Sequence, residues 1–264
     1  MIDKARLLAV VGEAAAMAHR QWPGAGGTVE AWEKTPGNPV CDADLAVDRF
    51  LKRELRALLP SAGWLSEETA DDANRLERSL VWVVDPIDGT RDFLRGRKGW
   101  AVSVALVSEG RPLIGVLEAP ALQKNYLALA GQGAWCGTSK LTVSQRTDLD
   151  GARIPADTLA KADRTFETVE KPNSIALRIA KVAAGEADLV ATMRWGYEWD
   201  VAAATLIARE AGARVNDGIG QTLRFNKRDP RSFGLLVSTP GIHDAATRHF
   251  ADRARTKRAE TTGS

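Results

Sequence analysis

Residues 80–90 read Leu-Val-Trp-Val-Val-Asp-Pro-Ile-Asp-Gly-Thr, which places two carboxylates, Asp85 and Asp88, three residues apart at the end of an apolar run. The run from Leu80 to Val84 is short and rich in β-branched residues, as a buried strand should be. In an α/β sheet the end of such a strand is where ligands bind. Packing gives little reason for two acids around Pro86 and Ile87. Gly89-Thr90 opens a candidate helix, whose first backbone N–H groups would face the same point. Acids that hold cations beside amides that hold an anion suggest a metal-assisted phosphate site.

Other acids are placed to join them. Glu67-Glu68 follows a short strand over 62–66, and Asp200 stands at the start of an apolar helix over Val201–Ala211. Asp44 lies on the apolar stripe of a helix over Asp42–Leu59, in line with Val47, Leu51, Leu55 and Leu58, with Asp48 at the stripe's edge. Each has a plainer reading: Asp44 as a first-turn acid favouring the helix dipole, Glu67 as part of a capping pair with Ser66, and Asp200 as an N-cap. If Glu67, Asp85, Asp88 and Asp200 converge, each pair about 5 Å apart at an effective dielectric near 20 repels by roughly 3 kcal/mol. Cations or shifted pKa values must then accompany the cluster. Two Mg²⁺ ions would neutralise it and could activate a water against a phosphate ester. Thr90 could contact that water, and Asp44 could take its proton or orient Thr90.

The bulk of the chain fits such an enzyme. Its 264 residues, 44% hydrophobic, suffice for one large core or two fused halves. Lys+Arg 36 against Asp+Glu 34 leaves a net charge of +2, which argues for no nucleic-acid polymer. No segment resembles a signal peptide, and no apolar run approaches ~20 residues, so no membrane insertion and a cytoplasmic location with reduced thiols are expected. Cys41 and Cys136 are the two cysteines, and no His/Cys spacing suits zinc. An oxygen-ligated, Mg²⁺-like ion is the alternative.

Around these acids the patterning predicts a first amphipathic helix over 2–20, a short strand at 28–33, a loop over Lys34–Pro39, and an exposed polar helix or loop over Asp71–Arg78. A hairpin follows (Ala101–Val107 and Leu113–Leu117), then strand Tyr126–Ala130 with a turn at 131–133. Residues 138–172 are weakly patterned, with a helix expected near 156–162. Helix Ser174–Ala184, strand Ala187–Thr192, strand Phe233–Ser238 and helix Ile242–Ala254 complete the order. Gly212 is read as the C-cap of the apolar helix, and the polar tail 255–264 as disordered. No repeat or linker splits the chain. Residues 1–254 are read as a single catalytic unit, with an N-terminal α+β part (about 1–135) and a C-terminal α/β part (about 136–254).

At this point the residues resemble a family. Asp85-Pro-Ile-Asp-Gly-Thr90 resembles the signature of the inositol monophosphatase superfamily, and Trp199-Asp200-Val-Ala-Ala its second signature. Leu65-Ser-Glu-Glu68 and Asn38-Pro-Val-Cys-Asp-Ala-Asp44 match two further blocks, in the family's order across residues 34–204. The resemblance implies an α/β fold, the layered α-β-α-β-α sandwich shared with fructose-1,6-bisphosphatase. It implies two or three Mg²⁺ ions held by Glu67, Asp85, the Ile87 carbonyl, Asp88 and Asp200. Gly89 and Thr90 would cradle the phosphate, and Asp44, Thr90 and Glu67 would be catalytic. Sensitivity to lithium and homodimers are common in the family and are implied with it.

Leu65-Ser-Glu-Glu68, Tyr197-Glu-Trp-Asp200 and Leu223–Pro230 look like the 3′(2′),5′-bisphosphate nucleotidase branch, which implies a role in sulfur metabolism. The expected substrate is adenosine 3′,5′-bisphosphate, losing its 3′-phosphate, and also its sulfated form. An inositol monophosphatase or a histidinol-phosphatase-like enzyme is the alternative. A catalytically inactive binding homologue is a third reading, disfavoured by the intact acid positions. A second anion would be met by Arg194, Arg224, Lys227 or Arg228, and adenine would stack on Trp195 or Tyr197; their plainer reading is surface cations and a packed aromatic pair. Ser174, Tyr197 and Asp200 complete the expected substrate contacts. Cys41 replaces the family's usual Thr or Ser, so a hydroxyl hydrogen bond is expected to be lost there. Asn173-Ser174 replaces the usual Gly-Ser.

Overall fold

A computed structural model describes residues 2–35 and 38–262. The chain runs α1 (Lys4–Gln21), β1 (Ala31–Thr35), β2 (Asn38–Cys41), α2 (Asp42–Leu58), β3 (Gly63–Ser66), β4 (Leu80–Asp88), α3 (Thr90–Leu94), β5 (Ala101–Ser108) and β6 (Arg111–Ala119). It continues through β7 (Lys124–Leu129), β8 (Ala134–Cys136), β9 (Ser139–Lys140), β10 (Arg153–Pro155), β11 (Glu167–Val169), α4 (Ile175–Ala183) and β12 (Leu189–Tyr197). Helix α5 (Glu198–Glu210), β13 (Arg214–Asp217), β14 (Arg231–Ser238) and α6 (Pro240–Thr262) close it.

The order of layers is the expected α-β-α-β-α sandwich. Helices α1 and α2 cover one face of a seven-stranded sheet ordered β3-β4-β5-β6-β7-β8-β9. Leu7, Val11, Val47 and Leu51 meet Trp82, Val84, Val102 and Val116 there. Helices α4 and α5 fill the space between the other face and a three-stranded sheet, β12-β14-β13. Helix α5 is buried nearly all round because it serves both sheets. Gly115 on β6 admits it closely, since a Cβ there would stand 2.6 Å from the Ala203 carbonyl oxygen. Helix α6 seals the far side through Ile242, Ala246 and Phe250. Among the described residues no helix is long and apolar enough to cross a membrane.

Four expectations change. The C-terminal tail is helical to Thr262, where Trp195 Nε1 donates to Thr261 Oγ1 at 3.2 Å; Gly263 and Ser264 lie outside the described residues. The loop over 34–39 is flanked by the antiparallel pair β1/β2, with Pro36 and Gly37 outside the described residues. Segment 71–78 is a 3-10 turn whose Arg75 is buried, bonded to Asp71 (2.6 and 2.9 Å), Asn226 (2.6 Å) and the Lys227 carbonyl (2.8 Å). Residues 138–172 hold the parallel pair β10/β11 and a 3-10 turn at Lys161–Asp163 rather than a helix at 156–162. That segment is pinned by scattered apolar residues, Leu141, Val143, Ile154 and Phe166, and by polar contacts: buried Asp188 accepts from Arg153 Nη2 (2.7 Å) and Ser144 Oγ (2.6 Å). Strand β13, four residues long, is too short to show a period in sequence.

Candidate active site

Strands β3 and β4 are the only parallel neighbours in the large sheet, so their carboxyl ends reach the same edge. Pairing continues past β3, where the Glu67 N–H donates to the Val84 carbonyl at 3.3 Å. Glu67 therefore emerges beside Asp85. On its other side β4 pairs with β5 through a bulge: Asp85 faces Ser103 and Asp88 faces Ala101, so one extra residue is inserted on β4. Pro86, which has no N–H to lose, sits inside it. The Ile87 N–H turns back onto Asp85 Oδ1 at 3.0 Å. Gly89 follows at φ +98, with Gly99 and Ser174 backbone atoms where a Cβ would stand. Asp200 arrives from α5 as the third helical residue, accepting the Tyr197 N–H at 3.0 Å, and so completes the helix start from inside rather than as the N-cap.

Glu67, Asp85 and Asp200 bring one carboxylate oxygen each to within 4.8 Å of one another. Burial, then the charges of Glu67, Asp88, Asp200 and Asp44, push the Asp85 carboxyl well above its ordinary range. Burial followed by Asp88 and Glu67 does the same to Asp200. Glu67 is raised by burial, partly offset by Lys34. An all-oxygen donor set, buried and mutually repelling, fits a hard divalent cation.

Asp88 lines the same cleft but turns toward α4: it accepts the Ser174 hydroxyl and the Ala176 N–H (2.7 Å). It thus stands outside the group of three. Ser174, expected as a substrate contact, is fully buried, bonded to Asp88 and capping α4 through the Leu177 N–H at 2.9 Å, and it does not line the cleft.

Thr90 Oγ1 lies 3.0 Å from the Ile87 carbonyl and 3.4 Å from Asp44 Oδ1. Asp44 is buried, and burial lifts its carboxyl to about 7. Its Oδ2 accepts the Cys41 N–H at 2.9 Å and the Cys41 thiol at 2.8 Å. The hydrogen bond expected to be lost at Cys41 is therefore made, with S–H as donor.

The cleft encloses about 480 Å³. Besides the acids, Arg91, Lys171, Arg178 and Arg194 line it. Tyr197 stacks on Trp199 at 4.5 Å with ring planes 7° apart, both on its wall. The other expected anion and base contacts lie elsewhere. Arg224 donates to the Glu109 carbonyl, Lys227 to Ser232, and Arg228 is exposed; none of the three lines the cleft. Trp195 packs edge-on to Phe233.

Sequence reasoning missed two cations. Lys34, read as loop, reaches Glu67 at 3.2 Å and Glu68 at 2.7 Å. Arg178, inside an apolar helix, is buried with its guanidinium on the Pro172 (2.7 Å) and Asn173 (2.8 Å) carbonyls. A charged residue on an otherwise apolar helix face is the signal that could have flagged it.

Fold and acid cluster together define a metal-dependent phosphatase. The chain belongs to the inositol monophosphatase family, whose model matches residues 3–256. A histidinol-phosphatase of Mycobacterium tuberculosis is 34% identical over 199 residues, 69% of this chain and 75% of that protein. The 3′(2′),5′-bisphosphate nucleotidase CysQ of Salmonella typhimurium is 33% identical over 215 residues (76% and 85%). Nus factor SuhB of Xylella fastidiosa is 32% identical over 227 residues (80% of each). Among solved structures, the Thermotoga maritima IMPase superposes with a TM-score of 0.81 at 26% identity, covering 94% of this chain and 96% of that one.

Proposed function

We propose that this phosphatase is Mg²⁺-dependent and removes the 3′-phosphate of adenosine 3′,5′-bisphosphate. The observation that carries the reading is the lining of one cleft by the acid cluster, four cations and a stacked aromatic pair. Glu67, Asp85, Asp200, the Ile87 carbonyl and, from the α4 side, Asp88 would hold the ions. Bound Mg²⁺ supplies charge neutralisation at the phosphate and a lowered pKa for the attacking water.

The chain's own groups do the rest. Thr90 Oγ orients the water, and Asp44 receives its proton through Thr90 as the water oxygen bonds to phosphorus and the P–O3′ bond breaks, the departing 3′ oxygen taking up a proton from solvent water to leave as the 3′-hydroxyl. The Gly89 and Thr90 N–H groups lie at the start of α3, facing the phosphate oxygens. Arg194, whose charge offsets a small part of the rise of the Asp200 carboxyl, takes the second phosphate, and Tyr197 offers a face to the base. Histidinol phosphate brings an ammonium toward Arg91, Lys171, Arg178 and Arg194, a like-charge encounter that disfavours it.

Phosphate release from a panel with and without Mg²⁺ tests this. Adenosine 3′,5′-bisphosphate is expected to exceed adenosine 3′-monophosphate, inositol 1-phosphate and histidinol phosphate in kcat/KM. Arg194→Ala should erase about 10- to 100-fold of the preference for the bisphosphate, the value of a charge-assisted hydrogen bond. Faster cleavage of inositol 1-phosphate or histidinol phosphate would overturn the substrate assignment.

The thiol at Asp44 gives a second measurement. Cys41→Ala removes one of two donors to Asp44 Oδ2 and should lower kcat by about 2- to 10-fold with KM unchanged. Cys41→Ser, which restores a donor, should recover most of the loss.

A further inference from the structure

Helix α2 carries two buried acids one turn apart. Asp44 meets Cys41 and Thr90; Asp48 has no place in the chemistry above, yet only 4% of it is exposed. Asp48 Oδ1 accepts from Ser66 Oγ at 2.5 Å, and Oδ2 accepts from Thr69 Oγ1 at 2.6 Å. These are short, charge-assisted bonds. Their donors bracket Glu67 and Glu68, so one carboxylate ties both ends of the 66–69 turn to the helix.

The turn needs such a tie. Glu67 stands one residue beyond β3, on a long side chain with three rotors. Asp85 and Asp88 repel it from the cleft side, while Lys34 draws it outward at 3.2 Å. The repulsion, with Lys34 as a competing partner, works against keeping the Glu67 carboxylate beside Asp85 and Asp200. We infer that Asp48 is a positioning residue, which holds the Ser66–Thr69 turn on α2 so that Glu67 stays in the group of three acids able to bind a metal ion. A partner that orients a ligating carboxylate without touching the ion commonly sets about 10- to 100-fold of the affinity.

The inference rests on the metal-dependent reading, and titration of the full-length protein with Mg²⁺ alone, followed by calorimetry, separates the two. Asp48→Asn is expected to weaken Mg²⁺ binding about tenfold or more, with Asp48→Glu recovering part of it. Ser66→Ala/Thr69→Val, which removes the donors and leaves Asp48 in place, should weaken it to a similar degree. Combining both sets should add little, because they break the same two hydrogen bonds. Melting of each variant without Mg²⁺ gives the readout that a purely structural role would move. A lowered Tm with the Mg²⁺ Kd within twofold of wild type overturns the inference. If Asp48→Asn does not fold, the Ser66→Ala/Thr69→Val protein decides by the same criterion. A wild-type chain that gives no heat with Mg²⁺ and no Mg²⁺-stimulated phosphate release removes the metal reading, and the positioning role with it.

Discussion

Asp85→Asn is expected to reduce phosphate release by at least about 10³-fold while leaving the metal-free protein more stable than wild type. Both effects come from the same burial. Asp85 is 1% exposed at the end of β4, and its carboxyl is raised by burial and by four neighbouring acids. Asparagine keeps the shape and can still accept the Ile87 N–H, so the bulge survives. The negative charge that draws a divalent cation is gone, however, and with it the neutralisation that lets a phosphate dianion approach Glu67 and Asp200. A loss of about 10³-fold corresponds to about 4 kcal/mol of transition-state stabilisation. Without metal, the same substitution deletes like-charge repulsion, so Tm should rise by several degrees, at about 2–4 °C per kcal/mol for a chain of this size. Steady-state assays across Mg²⁺ concentrations and melting in EDTA measure the two. Asp88→Asn is the less clean variant, because Asp88 also accepts from Ser174 and Ala176 at the start of α4. An Asp85→Asn enzyme that retains a tenth of wild-type kcat would sink the assignment of Asp85 to the metal.

Much of this site is legible without coordinates, for an identifiable reason. Glu67 and Asp85 sit where an apolar segment stops and Asp200 where one begins, and an acid at such a boundary is visible to pattern reading. Asp44 is visible because it interrupts an apolar stripe. Most strands and helices are legible in the same way, since their periods survive, whereas the order of the layers is implied by the family resemblance and not by any period. The geometry that depends on residues far apart in the chain is not legible. Asp88 lies on the motif, but the N-terminus of α4 that receives it is 86 residues away, and nothing local says that Ser174 spends its hydroxyl there. Lys34 looks like a loop cation until β1 carries it to Glu67. Arg224 and Lys227 look like anion ligands until the loop holding them is seen tied to Arg75, Glu109 and Ser232. Residues 138–172 escape prediction because their buried apolar residues, Leu141, Val143, Ile154 and Phe166, follow no regular period and polar anchors such as Asp188 supplement them. The C-terminal helix is foreseen only as far as Ala254, because the turns that carry it to Thr262 are polar.

Asp44→Asn tests the proton path, and its expected signature differs from that of Asp85→Asn. Asp44 Oδ2 is filled by two Cys41 donors, which leaves Oδ1 for Thr90. In the asparagine variant Cys41 would keep the amide oxygen, and the NH₂ would face Thr90. A donor then stands where an acceptor is needed, and Thr90 can no longer pass on a proton. Loss of a general base costs about 10²- to 10⁴-fold, so kcat should fall by about 10²-fold or more, with KM and Mg²⁺ affinity near wild type. The pH dependence of stability gives the independent check. Asp44 titrates near 7 in the folded chain against 3.8 in the open chain, so the fold holds a proton that the unfolded chain releases. The stabilisation tied to that proton is fully present below pH about 4 and is lost as pH rises through about 7. Metal-free wild type should therefore lose Tm between pH 5 and pH 8, in the same direction as the raised Asp85 and Asp200 carboxyls act, and Asp44→Asn should flatten its share of that slope. A kcat within threefold of wild type would remove Asp44 from the chemistry, even if the melting curves behave as stated.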